Sequence, residues 1–214
     1  ARELLELHTV GVGNYTEDDV KDTARLLTGF TVNAVTGLLA FVTGSHAVGP
    51  VKILGFTDPN SALDGRPAIE RLTRYLANHP ATARRIATKL VVRFVRDDAP
   101  AALVERLAQV YLANNTDLRP VLRTLVASDE FAASAGLKLR DPHEDLVAVL
   151  RMLRVNLTKP TGATSLANLL VIGARDQDHI PFSWPSPDGQ PQVGAAWASA
   201  ARASASLDRK STRL

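Results

Sequence analysis

The sequence repeats one pattern that strongly limits its possible folds: a capping residue or proline followed by apolar residues at helical spacing. Thr16 lies three residues before Asp19, as in a capping box, and Pro80 follows His79 as it would in the first turn of a helix. Further starts of this kind occur at Asp64, Asp97, Thr116, Ser128 and Asp141. The pattern predicts a mostly α fold, built as a multi-helix array.

The spacing of apolar residues predicts which face of each helix is buried. The predicted buried sets are Val20, Ala24 and Leu27; Ile69, Leu72 and Leu76; Ala83, Ile86, Leu90 and Phe94; Leu103, Leu107, Val110 and Tyr111; and Leu146, Leu150 and Leu153. We expect the opposite faces to be polar.

Two stretches depart from the helical pattern. Residues 30–57 are rich in β-branched and aromatic side chains and contain several glycines, which predicts a small β-hairpin insertion packed on the helices. Residues 175–194 contain four prolines and a Pro-Asp-Gly turn, which predicts an extended loop anchored by Phe182 and Trp184. A last helix is expected over 195–207, around Trp197.

Composition excludes several classes of protein. The 214 residues include no cysteine, which excludes disulfides, thiolate metal sites and cysteine nucleophiles. No window approaches the roughly 18 consecutive apolar residues of a membrane span, so we expect no transmembrane segment in this chain. Much of the net charge of +3 comes from three basic residues in the polar tail 208–214. A nucleic-acid partner is therefore not favoured.

The two ends of the chain suggest its division into domains. Residues 2–8 read as a helix without a capping residue before it, while 208–214 are polar, aperiodic and non-native in appearance. We expect residues 1–207 to be the C-terminal part of one larger helical domain whose N-terminal part is missing. We expect the opening leucines to need cover from that missing part and residues 208–214 to be an unpacked tail.

Several motifs in a fixed order resemble a bacterial family known as domain of unknown function 1800. They comprise residues 1–12, 15–20 and 24–32, His46 ahead of Gly49, Lys52 and Leu54-Gly55, the helix 79–94, and the segment 181–189 with Trp197. The resemblance covers about residues 1–207. Two positions depart from the family pattern: Phe30 stands where tryptophan is usual, and Ala47 where aspartate is common.

The resemblance carries implications for location and partners. Members of the family often look like exported proteins, which implies an exported or periplasmic location. They are encoded beside a second uncharacterised, sulfatase-like family, which implies a protein partner. No activity is established for the family, and any site that used the missing aspartate at position 47 is in doubt here.

The Gly-rich turn around His46 is the first candidate for a functional site. Glycines allow close approach of the backbone to a ligand, and His46 with Lys52 can bind an anion or relay a proton. The alternative is a turn in which the histidine caps a backbone carbonyl. The sequence contains no phosphate loop, dinucleotide loop or Gly-x-Ser-x-Gly elbow, so no cofactor is assigned.

Two further groups of residues contain side chains that can bind a metal ion. His8 and Glu3 lie on the opening helix and would need a further ligand such as His46. Asp176 and Asp178, beside His179 in the Pro-rich region, could coordinate a cation. The alternatives are a solvated helix face and turn-forming carboxylates.

A basic stripe of Arg85, Lys89, Arg93 and Arg96 follows the helix 80–96. Such a stripe can follow a phosphate backbone, or it can be a solvated face paired with acids such as Asp97 and Asp98.

Two functions remain open. The first is a helical module of an exported or envelope-associated bacterial protein that acts with a partner protein. The second is a hydrolase-like or ligand-processing enzyme whose site uses His46, Lys52, His8 and Glu3 and is completed by the missing N-terminal part. Convergence of these side chains in one pocket would favour the enzyme.

Overall fold

Helices dominate the computed structural model, which describes residues 1–155, 165–176, 179–180, 182–199 and 203–204. About 52% of this part of the chain is helical, which confirms the mostly α prediction. The α-helices are α1 Glu17–Leu27, α2 Arg66–Ala77, α3 Pro80–Phe94, α4 Ala101–Ala113, α5 Leu118–Val126, α6 Asp129–Ala132, α7 Pro142–Met152 and α8 Leu166–Arg175. None of the described helices is long and apolar enough to cross a membrane.

The predicted helix starts are confirmed from α1 to α7. Thr16 and Asp19 exchange hydrogen bonds in a complete capping box at α1, and Asp141 and Glu144 form a second one at α7. Two features differ from expectation. The opening segment is a single π-helical turn, Leu4–His8. Helix α8 has no predicted counterpart, although Leu166, Leu169 and Leu170 stand at helical spacing after the capping residue Ser165.

The predicted β-structure is confirmed as two small antiparallel hairpins. Strand β1, Phe30–Val32, pairs with β2, Leu39–Phe41, so that Phe30 faces Phe41 and Val32 faces Leu39. Strand β3, Val51–Ile53, pairs with β4, Phe56–Asp58. The second hairpin turns through Leu54 and Gly55, both with positive φ, which suits the right-handed twist of its short strands.

The described chain divides into two compact units. The first contains Ala1–Lys89 and Pro100–Ser128, and the second contains Leu90–Ala99 and residues from Asp129 onward. The core of the first unit consists of Leu5, Val10, Leu26, Val51, Ile53, Ala68, Ile69, Leu72 and Leu76. The expectation that residues 1–207 belong to one larger domain stays a prediction.

The opening turn is integrated into the first unit. Leu5 is fully buried, and Leu4 packs against the same core. Arg85 donates to the carbonyl oxygen of Leu7 at 3.1 Å and so caps the end of the turn. The expectation that the opening leucines need cover from a missing part is therefore wrong for Leu5, because α1, α2 and the β3–β4 hairpin supply the core in which it is buried.

Two predicted helix faces are rotated from their expected positions. Helix α1 buries Thr23 and Leu26 and leaves Ala24 exposed. Helix α3 buries Ala83, as predicted, but also Ala87 and Val91, whereas Phe94 is exposed. Apolar spacing predicts that the larger apolar residues are buried. Small side chains are buried instead because they let neighbouring elements approach more closely. The predicted faces of α2 and α4 are confirmed at most positions.

In the second unit the Pro-rich loop is held by Trp197 and Asp97. The buried Trp197 donates from Nε1 to the carbonyl oxygen of Pro191 at 2.8 Å. Asp97 accepts the N–H of Gly194 at 2.6 Å and is paired with Lys138. Phe182 is fully exposed, so the prediction that it anchors the loop is wrong. Of the expected helix 195–207, the structure describes a 3-10 turn, Gly194–Ala196, and residues 203–204.

Candidate functional site

The predicted candidate His46 lies inside the first unit. His46 is the residue directly after a 3-10 turn, Thr43–Ser45, and it is only 6% exposed. Ring atom Nδ1 lies 2.9 Å from the carbonyl oxygen of Thr28, and Nε2 lies 2.8 Å from Oδ1 of Asn60. Both ring nitrogens are therefore engaged by the protein, so His46 is poorly placed to bind a metal ion or to relay a proton to a ligand.

Lys52 lies on the exposed side of β3, where it borders a shallow cavity of about 370 Å³. Its backbone N–H donates to Asp22 at 2.7 Å. Burial alone would raise the pKa of the nearby Asp19, but hydrogen bonds from Leu54 and Thr16, with the charge of Lys52, hold it below its ordinary value. His46 does not line this cavity. Of the two members of the predicted site, His46 is therefore buried, whereas Lys52 is exposed beside the cavity.

Glu3 and His8 lie exposed on the opening turn. The neighbouring charges are already paired: Arg2 contacts Glu17 at 2.8 Å, and Tyr15 donates to Glu6 at 2.7 Å. Among the described residues, no hydrogen bond or ion pair joins Glu3 or His8 to His46. The structure thus does not bring the predicted enzyme residues together.

A metal site also finds little support in the described part of the chain. No group of three or more histidine, aspartate or glutamate side chains there could hold a metal ion. Asp176 is exposed at the end of α8, and the other carboxylate of that pattern, Asp178, lies outside the described residues.

The basic stripe on α3 is largely paired, as its ordinary interpretation predicts. Arg85 caps the opening turn, and Arg96 forms an ion pair with Asp98. Arg93 contacts Asp141 at 3.2 Å and Glu144 at 2.6 Å. The ion pairs of Arg93 and Arg96 neutralise two of the four positive charges of the stripe and so reduce the charge available to a phosphate backbone.

The second unit contains a polar cavity that the sequence analysis missed. Its volume is about 490 Å³, and it is lined by Arg93, Asp141, His143, Glu144, Val147, His179, Gln190, Pro191 and Gln192. The rings of His143 and His179 meet edge to face with their centroids 5.6 Å apart. Local spacing could not reveal this site, because Arg93 and the Pro-rich loop are far from α7 in sequence.

The charged groups of this cavity are committed to structure. Asp141 and Glu144 accept each other's N–H groups at 2.8 and 3.1 Å, while their remaining oxygens accept from Arg93. No serine, threonine, tyrosine or lysine is among the residues that the structure places on its wall. The described wall therefore offers two imidazoles beside two carboxylates that are held by Arg93.

The β1–β2 hairpin carries an apolar surface that was not predicted to be exposed. Phe41 packs against the core, and Phe30 meets it edge to face at 5.2 Å. Further along the hairpin Val32 and Leu39 are 63% and 73% exposed, and at the tip Val35 is 94% exposed. Apolar side chains thus continue from the core into solvent. We call Phe30, Val32, Val35, Leu38 and Leu39 the hairpin surface.

Comparison with known proteins agrees with the resemblance drawn from the motifs. The sequence profile of a family described as a protein of unknown function, DUF1800, matches residues 1–212. No curated protein and no solved structure shows a significant match to the chain. The match covers nearly the whole sequence, and the chain therefore belongs to the DUF1800 family.

Proposed function

We propose that the chain is a non-catalytic docking module of an exported or envelope-associated bacterial protein, and that the hairpin surface binds a partner protein. The observation that carries this proposal is the run of exposed apolar side chains on β1–β2. A fully exposed valine or leucine forgoes roughly 1.5–3 kcal/mol relative to burial. Clustered exposed apolar residues of this kind mark interaction sites more often than isolated ones do.

The lack of acidic and basic residues around the hairpin indicates the chemistry of the partner. From Leu26 to Val51 the sequence has no aspartate, glutamate, lysine or arginine, although 22% of the whole chain is charged. A surface without charge gains nothing from a charged partner and would leave the partner's charges desolvated. The proposed occupant is therefore an uncharged apolar groove on another protein.

The backbone of the hairpin tip suits burial in such a groove. The backbone N–H of Asn33 donates to the carbonyl oxygen of Leu38, and its carbonyl oxygen accepts the N–H of Gly37. The Asn33 side chain accepts the N–H groups of Val35 and Thr36. Polar backbone groups that already have partners inside the loop cost little to remove from water. The tip can thus be covered without leaving these N–H groups unsatisfied.

The partner that we propose is the sulfatase-like protein implied by the family resemblance. The alternative, a hydrolase-like or ligand-processing enzyme around His46 and Lys52, has less support. It requires His46 to give up contacts at both ring nitrogens, and it requires residues that lie outside this chain.

The test is a binding measurement between the purified chain and the sulfatase-like protein encoded beside it, by isothermal titration calorimetry. We expect the double variant Val32→Lys with Leu39→Lys to lose at least about 30-fold in affinity, because it places two charges in an apolar contact. Val12→Lys is the matched control, since Val12 is similarly exposed in the same unit but lies outside the hairpin. It should bind like the wild type.

Three outcomes would overturn the proposal. One is equal binding by the double variant, provided that its melting temperature matches that of the wild type. Another is self-association of the wild-type chain that the double variant abolishes, which would make a second copy the occupant. The third is hairpin-dependent binding to phosphatidylcholine vesicles, which would make the occupant a membrane.

A further inference from the structure

The wall of the polar cavity in the second unit is built from three segments that other contacts hold in place. Asp141 and Glu144 belong to the capping box at the start of α7, which fixes both carboxylates. Arg93 contacts them from α3. The Pro-rich loop is held at Pro191, whose carbonyl oxygen accepts from Nε1 of Trp197 at 2.8 Å. The wall is therefore largely preorganised, which reduces the cost of binding a small molecule.

The position and size of the cavity suit a small ligand. All residues on its described wall belong to the second unit. Its volume of about 490 Å³ lies within the range of roughly 300–1,000 Å³ that is typical of small-molecule sites.

The charges of the wall are paired with one another and therefore select against an ionic ligand. Arg93 contacts Asp141 at 3.2 Å and Glu144 at 2.6 Å. An anion would meet both carboxylates, and a cation would compete with Arg93 for their oxygens. Breaking a paired charge to bind another ion leaves one group unpaired, which is costly. A neutral ligand avoids this cost.

The same pairs can still form hydrogen bonds with a neutral ligand. A carboxylate can accept about four hydrogen bonds, and a guanidinium can donate about five. Asp141 accepts from the N–H of Glu144 and from Arg93, and Glu144 accepts from the N–H of Asp141 and from Arg93. Hydroxyl groups both donate and accept, so they can bind to each member of the network without breaking it.

The rest of the wall alternates polar and apolar groups. His143 is exposed and carries an imidazole, and Gln190 donates from Nε2 to the carbonyl oxygen of Ile180 at 3.3 Å, which directs its Oε1 acceptor away from that oxygen. Val147 and Pro191 supply apolar carbons. A hexose has hydroxyl groups around its rim and C–H groups on its faces, which match such a wall. We propose that this cavity binds a neutral hexose.

The experiment is a titration of the full chain, labelled with carbon-13 at the histidine rings, with D-glucose, D-galactose and D-mannose at constant pH. Two of the five histidines, His143 and His179, line the cavity, whereas His8, His46 and His79 belong to the first unit and serve as internal controls. We expect saturable NMR shifts of the two cavity histidines with at least one hexose, half complete at millimolar concentration. The other three signals should not move.

A variant that fills the cavity tests the location of the site. Val147 is 42% exposed on α7, so Val147→Trp adds volume to the cavity without entering the core. It should weaken hexose binding at least about tenfold. Val171→Trp is the matched control, because Val171 is 47% exposed on α8 and does not line the cavity. It should bind hexose as the wild type does.

A second variant keeps the test decisive if Val147→Trp does not fold. His143→Phe retains an aromatic ring but removes its nitrogens, and it also assigns the His143 signal by its loss. Binding measured at His179 should weaken severalfold. Unchanged hexose binding in a folded variant, equal shifts at all five histidines, or no response to any hexose would overturn the proposal. A response at the cavity to sodium acetate or methylammonium chloride alone would also overturn it, because the site would then select a charge.

Discussion

Gly65 shows how one residue can be required by another that is distant in sequence. An added Cβ at Gly65 would lie 2.2 Å from Cε1 and 2.5 Å from Nε2 of His46. The backbone of Gly65 has an ordinary φ of −74°, so the requirement is for space alone. The ring cannot move aside without losing its contacts with Thr28 and Asn60. Glycine is therefore the residue that fits between α2 and the ring of His46.

Gly65→Ala should destabilise the protein by roughly 1–3 kcal/mol, the usual cost of overpacking a close contact. Urea unfolding followed by circular dichroism measures it. The matched control is Gly44→Ala, because no atom lies within 4 Å of a Cβ added there and its effect should stay within about 0.5 kcal/mol. Equal unfolding midpoints for the two variants would contradict the close packing of Gly65 against His46.

Among the secondary-structure elements, the Pro-rich loop is held by polar contacts near Gly194, while of its two predicted aromatic anchors Trp184 lies 6.4 Å from Trp197, centroid to centroid, and Phe182 is fully exposed. Asp97, after the end of α3, accepts the N–H of Gly194, and Lys138 donates both to Asp97 and to the carbonyl oxygen of Gln192. Burial alone would raise the pKa of Asp97, but these bonds from Lys138 and Gly194 hold it below its ordinary value.

Acidification should release the loop from Asp97. Because the folded-state pKa lies below the unfolded value of about 3.9, the contribution of Asp97 is present above that pH and is lost as the pH falls through the folded pKa. We expect the fluorescence of Trp197, measured in a Trp184→Phe background, to change between pH 4 and pH 2. Asp97→Asn should remove this transition, whereas Asp98→Asn should retain it. Persistence of the transition in Asp97→Asn would show that another group controls the loop.

Across the whole molecule, stability depends on pH through His79, which caps one of the long helices. His79 caps α3 by accepting the N–H of Ala81 at Nδ1, at 3.2 Å, which requires a ring without a proton on that nitrogen. Burial lowers the pKa of His79. Its contribution is therefore present above about pH 6.5 and is lost as the pH falls through the folded pKa.

His79→Asn should reduce the loss of thermal stability between pH 7 and pH 5, because asparagine can still cap the helix but does not titrate. Differential scanning calorimetry of the wild type and the variant at both pH values measures the difference. His8→Asn should behave as the wild type, since His8 is exposed. A variant that loses as much stability as the wild type on acidification would exclude His79 as the titrating group.

Local patterns in the sequence were enough to predict the helix starts, the position of the short strands and the family. Caps such as Thr16 with Asp19, or Asp141 with Glu144, act between residues three positions apart, so a local pattern contains all the required information. The same holds for the glycine-rich, β-branched stretch that forms the two hairpins. Helix faces were less predictable, as α3 shows, because burial depends on which neighbour packs against them.

The contacts and the exposure of the candidate residues become visible in the tertiary structure alone. His46 is a candidate from its Gly-rich turn, but its ring contacts Thr28 and Asn60, which no local spacing connects to it. The partners of Arg93 and the exposure of the β1–β2 hairpin are decided in the same way. These contacts and this exposure arise when segments that are distant in sequence pack together. Short-range periodicity does not predict them.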